Sequence, residues 1–334
     1  MTDRPFRLGF LTHVNGRRRS PRETYAELLD LIEAAEDLGF DGAFVAQHHF
    51  QAERVGLPSP LVLLAAAAVR TRRIELGTAV STLPLEDPLR FAEDAAVLDE
   101  LSGGRVQLGL GTGGANRPAF EAFGVPDADI GGRFDRNLAV VHRALEGGPV
   151  GDASPALQPP APSLRHRLWQ ATSRIEQARS AARSGDGLFI GTFIHRPREE
   201  QLPLILAYRD AWEGTAPSRV GAARAVFPAG SRAEALADLG RGLPVFRERI
   251  GRIAELDGYD DAQLAERINI HYGSTEDVVD GIRRDPALLG HVDYFLPVVQ
   301  HEASRVDEEI RRLQIIATEI APALGWTSAG ERVA

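Results

Sequence analysis

Cysteine is absent from the 334 residues, so disulfides, thiolate metal sites and cysteine nucleophiles are all excluded. Basic residues are outnumbered: 38 Lys and Arg stand against 47 Asp and Glu, for a net charge of −9. A nucleic-acid partner needs a basic face to displace counterions from phosphates, so none is expected. No apolar run approaches the roughly 20 residues that cross a bilayer. The first residues, "MTDRPFRLGFLTHV", run into a strand-like segment with no signal-peptide core before it. These absences leave a cytoplasmic protein without membrane contact as the expectation. No G-x-S-x-G elbow occurs either, which leaves nucleophilic serine catalysis without support.

What is present is the balance of a soluble globular chain with a substantial core, 43% hydrophobic and 25% charged. Extended and helical patterns alternate along nearly the whole length. Eight apolar runs read as strands covered on both faces: "FRLGFL", "GAFVA", "RIELGTAV", "RVQLGLG", "RLWQA", "GLFIG", "GAARAVF" and "HVDYFLPVV". The helices between them have clear starts. Ser20, Pro21 and Glu23 form a capping box with proline at the first helical position. "SPLVLLAAAAVRT" and "DPLRFAEDAAVLDELSGG" open with the same cap-then-proline signal, and "STEDVVDGI" opens on Ser274 with Asp277 three residues later.

Eight βα alternations predict one domain over residues 1–334, a (β/α)₈ barrel of the α/β class with insertions, and a doubly wound open sheet is the alternative. Two segments break the alternation. Residues 146–167 are rich in proline and glycine, and residues 228–269 are longer than a crossover requires, so both are expected as walls or lids of a site.

Residues just past strand C-termini line the site of such a barrel. That rule selects His13 and Asn15, then Gln47, His48 and His49, then Thr78 to Ser81, "GTGGAN", "TSR" and His195. The histidine pair has three readings. A metal site would need further ligands converging on it; a wall position would leave one imidazole hydrogen-bonded and the other exposed; an acid/base role would use a ring that titrates near neutral pH. "GRVQLGLGTGGAN" is a poor dinucleotide fingerprint because Pro118 follows and no clean helix opens. Its backbone can still approach an anion or a flat ring, or simply turn. In "QATSRIEQARSAARSGDG", Thr172 or Ser173 caps a helix whose first turn carries Arg174 and Gln177. That combination suits a phosphate as well as an ordinary cap.

Taken together, these segments resemble the luciferase-like monooxygenases, the flavin-dependent family that includes bacterial luciferase and alkanesulfonate monooxygenase. The matching residues are "LGFDGAFVAQHHF", the run from "SPLVLLAAAAVRT" through "RVQLGLGTGG", "FEAFGV" and "ATSRIEQARSAARSGDGLFIG". The resemblance implies a (β/α)₈ barrel that binds reduced FMN, or in one branch the deazaflavin F420, at its C-terminal mouth. For the FMN branch it implies a C4a-peroxyflavin formed with O₂ that attacks a small organic substrate, with a separate flavin reductase supplying the reduced flavin. It places His48 as the catalytic histidine and turns His49 into the wall. It puts Thr78, Ala79 and Val80 under the flavin ring, with a cis Ala79–Val80 peptide, and Ser173, Arg174 and Gln177 at the phosphate.

Two departures stand out. Relatives commonly carry glutamate at the position of Gln47, so a lowered imidazole pKa beside it is expected. Several carry arginine at the position of Thr112, which leaves Arg174, Arg117 or Arg133 to supply the cation. The family resemblance also implies a homodimer through the helices near the second and third strands. An F420-dependent oxidoreductase on the same barrel and a non-catalytic flavin-binding protein are the alternatives.

Overall fold

The computed structural model describes residues 6–14, 19–50, 56–113, 117–149, 156–191, 195–250 and 258–328. Among the described residues nine parallel strands are present: β1 (Arg7–Thr12), β2 (Gly42–Val45), β3 (Glu75–Thr82), β4 (Val106–Gly111), β5 (Leu168–Ala171), β6 (Gly187–Ile190), β7 (Val220–Pro228), β8 (His271–Gly273) and β9 (Tyr294–Val298). Strands β1 to β7 pair in sequence, β7 pairs with β9, and β9 pairs with β1. Eight of the nine therefore close a (β/α)₈ barrel. Strand β8 stands outside it, paired only with the end of β7, Val226–Pro228, which projects beyond the barrel.

The helix starts follow the local sequence. Ser20 and Glu23 form the reciprocal box that opens the helix Pro21–Asp37, and Ser274 with Asp277 does the same for Thr275–Arg284. Asp87 accepts from the amides of Leu89 and Arg90, both at 3.0 Å, and Gly103 ends that helix in the left-handed conformation. Ser59 differs: its hydroxyl makes no cap hydrogen bond, and Pro60 starts the helix by its fixed φ alone.

Large rings fill the barrel interior, and small residues make room for them. Phe44, Trp169, Phe189 and Tyr294 meet there, with Trp169 and Phe189 stacked at 4.6 Å and Phe44 edge-on to both Phe189 and Tyr294. A Cβ at Gly77 would lie 2.2 Å from the Phe44 ring, and one at Gly221 would lie 2.3 Å from the Phe189 ring. At the N-terminal end the barrel is plugged by polar groups. Glu75 accepts from Arg7 at 2.7 Å and from the Tyr294 hydroxyl at 3.1 Å, while Trp169 donates to Gln107 at 2.8 Å.

The described part of residues 146–167 belongs to this closed end, and the expectation of a lid there is corrected. Leu157, Ala161 and Leu164 are buried in the main core. Arg167 donates to Asp99 at 2.7 Å and to the carbonyl of Val106, where β4 begins. Arg165 reaches the fully buried Asp186 at 2.6 Å, beside His142 at 2.9 Å. The segment's arginines thus tie it to strand N-termini, the end of a barrel that serves stability.

The interlock between ring and glycine sets an expected outcome. Gly77→Ala drives a methyl into the Phe44 ring and should destabilise the fold by about 1–3 kcal/mol. In urea unfolding this reads as a lowered midpoint with an unchanged slope; an unchanged midpoint would show that the interior has slack.

Candidate active site

A cavity of about 530 Å³ opens at the C-terminal ends of the strands. Its floor is built from small residues on or just after four strands: Ala79 and Val80 on β3, Ala171 on β5, Gly191 after β6 and Ala223 on β7. Directly under them lie the stacked rings of Trp169 and Phe189. The roof comes from the described part of residues 228–269 and its flank: Leu239, Leu243 and Phe246 with Ile268 and Ile270.

Strand β3 is irregular where it reaches the floor. The Ala79–Val80 peptide is cis, and β3 uses one extra residue against β4 between Thr78 and Ser81. Bulges of this kind re-aim backbone next to sites. Gln47 holds the irregular stretch from the next strand: its backbone N–H donates to the Val80 carbonyl at 3.2 Å, and its side-chain oxygen accepts from the Thr82 amide at 2.5 Å. The Gln47 amide nitrogen donates to Glu86 at 2.7 Å and to the Pro58 carbonyl at 3.0 Å. This contact set makes Gln47 a clamp on the end of β3. Burial raises the Glu86 carboxyl above its ordinary pKa and the Gln47 hydrogen bond opposes that rise. A glutamate at position 47 would set two carboxylates face to face.

The histidines separate into distinct roles. His13 lines the cavity, and its Nδ1 lies 3.3 Å from Nε2 of His48. The two strand ends, β1 and β2, thus bring together residues 35 positions apart. His49 is buried and edge-on to Phe123 at 5.3 Å, with its Nε2 unpartnered and its pKa lowered by desolvation. His195 lines the cavity, and its backbone carbonyl accepts from Gln201 at 3.0 Å and from Asn269 at 2.9 Å. His301 also lines the cavity, but both ring nitrogens are committed: Nδ1 accepts from the Ala303 amide at 3.1 Å and Nε2 faces Asp238 at 3.3 Å. Against a burial cost, the His301 hydrogen bond and the Arg312 charge hold Asp238 well below the usual carboxylate range. His301 therefore offers the site its ring face, stacked on Phe227. Among the described residues, no group of three or more His, Asp or Glu side chains is gathered as for a metal ion.

Hydroxyls gather at the opposite side of the floor. Thr112, Thr172 and Ser173 line the cavity beside the start of the helix Ile175–Arg183. The expected cap is corrected in detail: Arg174 is the N-cap residue and its side chain makes no cap bond, while the Thr172 hydroxyl accepts from the Arg174 amide at 3.0 Å. The same hydroxyl donates to Gln177 at 2.9 Å, which orients that amide toward the hydroxyl cluster. The first-turn N–H groups of a helix attract an anion, and small floor residues leave a flat ring unobstructed. These residues fit a planar cofactor with a phosphate tail. Of the substitute cations, Arg174 lies at this helix start, Arg133 lies on the helix Ile130–Leu145, and the Arg117 side chain and Asn15 are outside the described residues.

Three contributors escaped the sequence reading. Arg224 sits inside "GAARAVF", buried and paired with Asp285 at 2.7 Å, and donates to Gln201 at 2.6 Å. Gln300 lines the cavity, and its oxygen accepts from both the Thr12 hydroxyl and the His13 amide at 2.6 Å. Behind Gln300 lies Glu309, whose carboxyl burial raises to about 7 against the opposing charge of Arg312 and the Gln300 hydrogen bond. Only the arginine inside an apolar strand carried a sequence signal, as a charge where a covered strand should have none.

The family model described as luciferase-like monooxygenase matches residues 6–293. The monooxygenase RslO1 from Streptomyces bottropensis superposes with a TM-score of 0.82 at 26% identity, covering 96% of this chain and all of that one. The oxygenating constituent of 3,6-diketocamphane monooxygenase from Pseudomonas putida, solved with FMN, gives a TM-score of 0.76 at 19% identity over 95% and 98% of the two chains. At that identity it shows the fold alone. An F420-dependent glucose-6-phosphate dehydrogenase from Intrasporangium calvum is 42% identical over 115 residues, 33% of this chain and 34% of its own. The chain spans about half or less of the length of the curated relatives it matches.

Glu309 makes stability pH-dependent in a definite direction. The folded state holds this proton more tightly than the unfolded chain, so the folded state is favoured below the ordinary value of 4.5 and loses that advantage as pH rises to about 7. The loss is on the order of 3 kcal/mol. Glu309→Gln should therefore raise Tm at pH 8 and change it little at pH 4.5; an equal shift at both would remove Glu309 as the cause.

Proposed function

Because the chain belongs to the luciferase-like monooxygenase family, we propose that this oxidoreductase uses reduced FMN and O₂ to oxygenate a small, largely apolar organic substrate. One observation carries the reading: the cavity has hydroxyls and a helix start at one side, small flat floor residues in the middle, and an apolar roof over the rest. Reduced flavin, when bound, supplies the electrons that activate O₂. The protein's part is positional. Thr112, Thr172, Ser173 and the helix amides would hold the phosphate, with Arg174 as the cation and Gln177 oriented by Thr172. Ala79 and Val80 would support the ring, and the roof side chains would exclude water from the reacting atoms. His48, paired with His13, would hold the proton that an oxygenation consumes.

The second reading is an F420-dependent hydride transfer on the same barrel. The match to an F420-dependent dehydrogenase favours it.

We propose further that reduced flavin arrives from a separate reductase, and that the chain pairs with a second copy. The pairing rests on an exposed apolar face shared by two adjacent helices, Pro60–Arg70 and Pro88–Ser102. Val62 and Val69 are each 74% exposed, and Val97 and Leu101 about half. Val69→Arg should convert the dimer to monomer in sedimentation velocity with the fold retained. A wild-type monomer at all concentrations would end the proposal.

The oxygenase reading is tested by mixing the protein anaerobically with reduced FMN, then with O₂, and following absorbance by stopped flow. A transient distinct from reduced and oxidised flavin, outliving the reaction in free solution, is expected. Flavin oxidation at the protein-free rate would overturn the FMN reading and make F420 binding the next measurement.

A further inference from the structure

From the geometry of the strand ends we infer that His13 is the group that exchanges a proton with the cavity, and that His48 acts through it. His13 lines the cavity, whereas His48 is not among the described residues that do. The Nε2 of His48 is directed at Nδ1 of His13, 3.3 Å away. One of these nitrogens carries the hydrogen and the other the lone pair, so the contact holds one proton between the rings.

The backbone at His13 is built to hold the ring in that position. Gln300 accepts from the His13 amide and from the Thr12 hydroxyl, both at 2.6 Å, and the Thr12 oxygen then accepts from the Val14 amide at 3.2 Å. Val14 has φ +57°, a left-handed conformation that a β-branched residue adopts only when its surroundings enforce it. The chain therefore turns sharply just after His13, under a clamp reaching from the far end of the sequence. Such an outlier beside a cavity points to a positioned side chain.

The transfer balances without electrons. His13 gives the hydrogen on Nε2 to an acceptor in the cavity and receives on Nδ1 the hydrogen from Nε2 of His48. His13 ends neutral as the opposite tautomer, and His48, which enters the step as the imidazolium, also ends neutral; solvent later restores its proton. The other titratable side chains lining the cavity, among the described residues, are His195, Arg224, His301 and Glu302. Arg224 is paired with Asp285 and His301 is committed to Asp238, and Glu309 stands behind Gln300. This assignment rests on the flavin-enzyme reading only for the identity of the acceptor.

The deciding measurement is made on flavin-free protein: a pH titration of the histidine ring nitrogens by NMR, in wild type, His48→Gln and His13→Gln. In wild type the two rings should titrate as a coupled pair, in two steps about one pH unit or more apart. His48→Gln should collapse the His13 titration to a single step with a moved midpoint. Identical His13 titration in wild type and His48→Gln would overturn the pairing. Turnover is the second readout. His13→Gln should lower kcat by about 100-fold or more, and the double variant His13→Gln/His48→Gln should be no slower than His13→Gln alone, because the two act as a unit. Multiplying losses would overturn the relay while leaving the oxygenase reading intact. Absence of oxygenation by wild type with the NMR coupling present would overturn that reading and leave the pair standing. His48→Asn serves if His48→Gln does not fold.

Discussion

The height of the floor inside the barrel governs everything above it, and that height is set by contact between large rings and missing side chains. Phe44, Trp169, Phe189 and Tyr294 fill the interior only because facing positions carry glycine. The layer above them switches to alanine, valine and glycine, and the cavity begins there. A core of uniform medium-sized residues would distribute the same volume evenly and leave no such step. The boundary between packed core and open site is thus a steric pattern along the strands rather than a separate structural element.

The floor alone would be flat and featureless without the hydrogen bonds that shape its edges. Gln47 fixes the irregular end of β3, and Gln300 fixes the end of β1. In both cases one neutral amide satisfies several backbone or hydroxyl groups at once, which a carboxylate, lacking donors, could not do for Gln47. Glu86 and Glu309 stand behind these amides, and burial raises both carboxyls. The site is therefore bordered by carboxyl groups held one residue away from it.

Much of this was legible in the chain. Apolar runs bounded by helix starts marked the eight barrel strands, because a strand covered on both faces leaves a continuous hydrophobic signature. Capping boxes at Ser20 and Ser274 were readable because they are local. The barrel rule selected His13, His48, Thr112, Ser173 and His195 without knowledge of their neighbours, and the resemblance supplied the cis Ala79–Val80 bond. What was not legible was long-range. Gln300 meets Thr12 across 288 positions, and no local pattern announces such a partner. The Arg165 and Arg167 anchors likewise turned a loop-like segment into part of the closed end, since composition reports flexibility of sequence and not where a guanidinium finds its carboxylate. Strand β8 was missed because three residues leave too short a pattern to separate from a turn.

Strand β7 outruns its barrel neighbours, and the roof is hung from that overhang. Residues 226–228 pair with β8 alone, and a small cluster of its own, including Phe227, Leu239, Leu243, Leu264, Ile268 and Tyr272, holds the roof together. The roof thus has a core of its own, joined to the rest by the overhanging strand and by polar contacts such as those of Asp238 with His301 and Arg312. Its apolar lining is free to drift in evolution without disturbing the ring-and-glycine packing below, so the part that selects a substrate and the part that holds the fold answer to separate constraints.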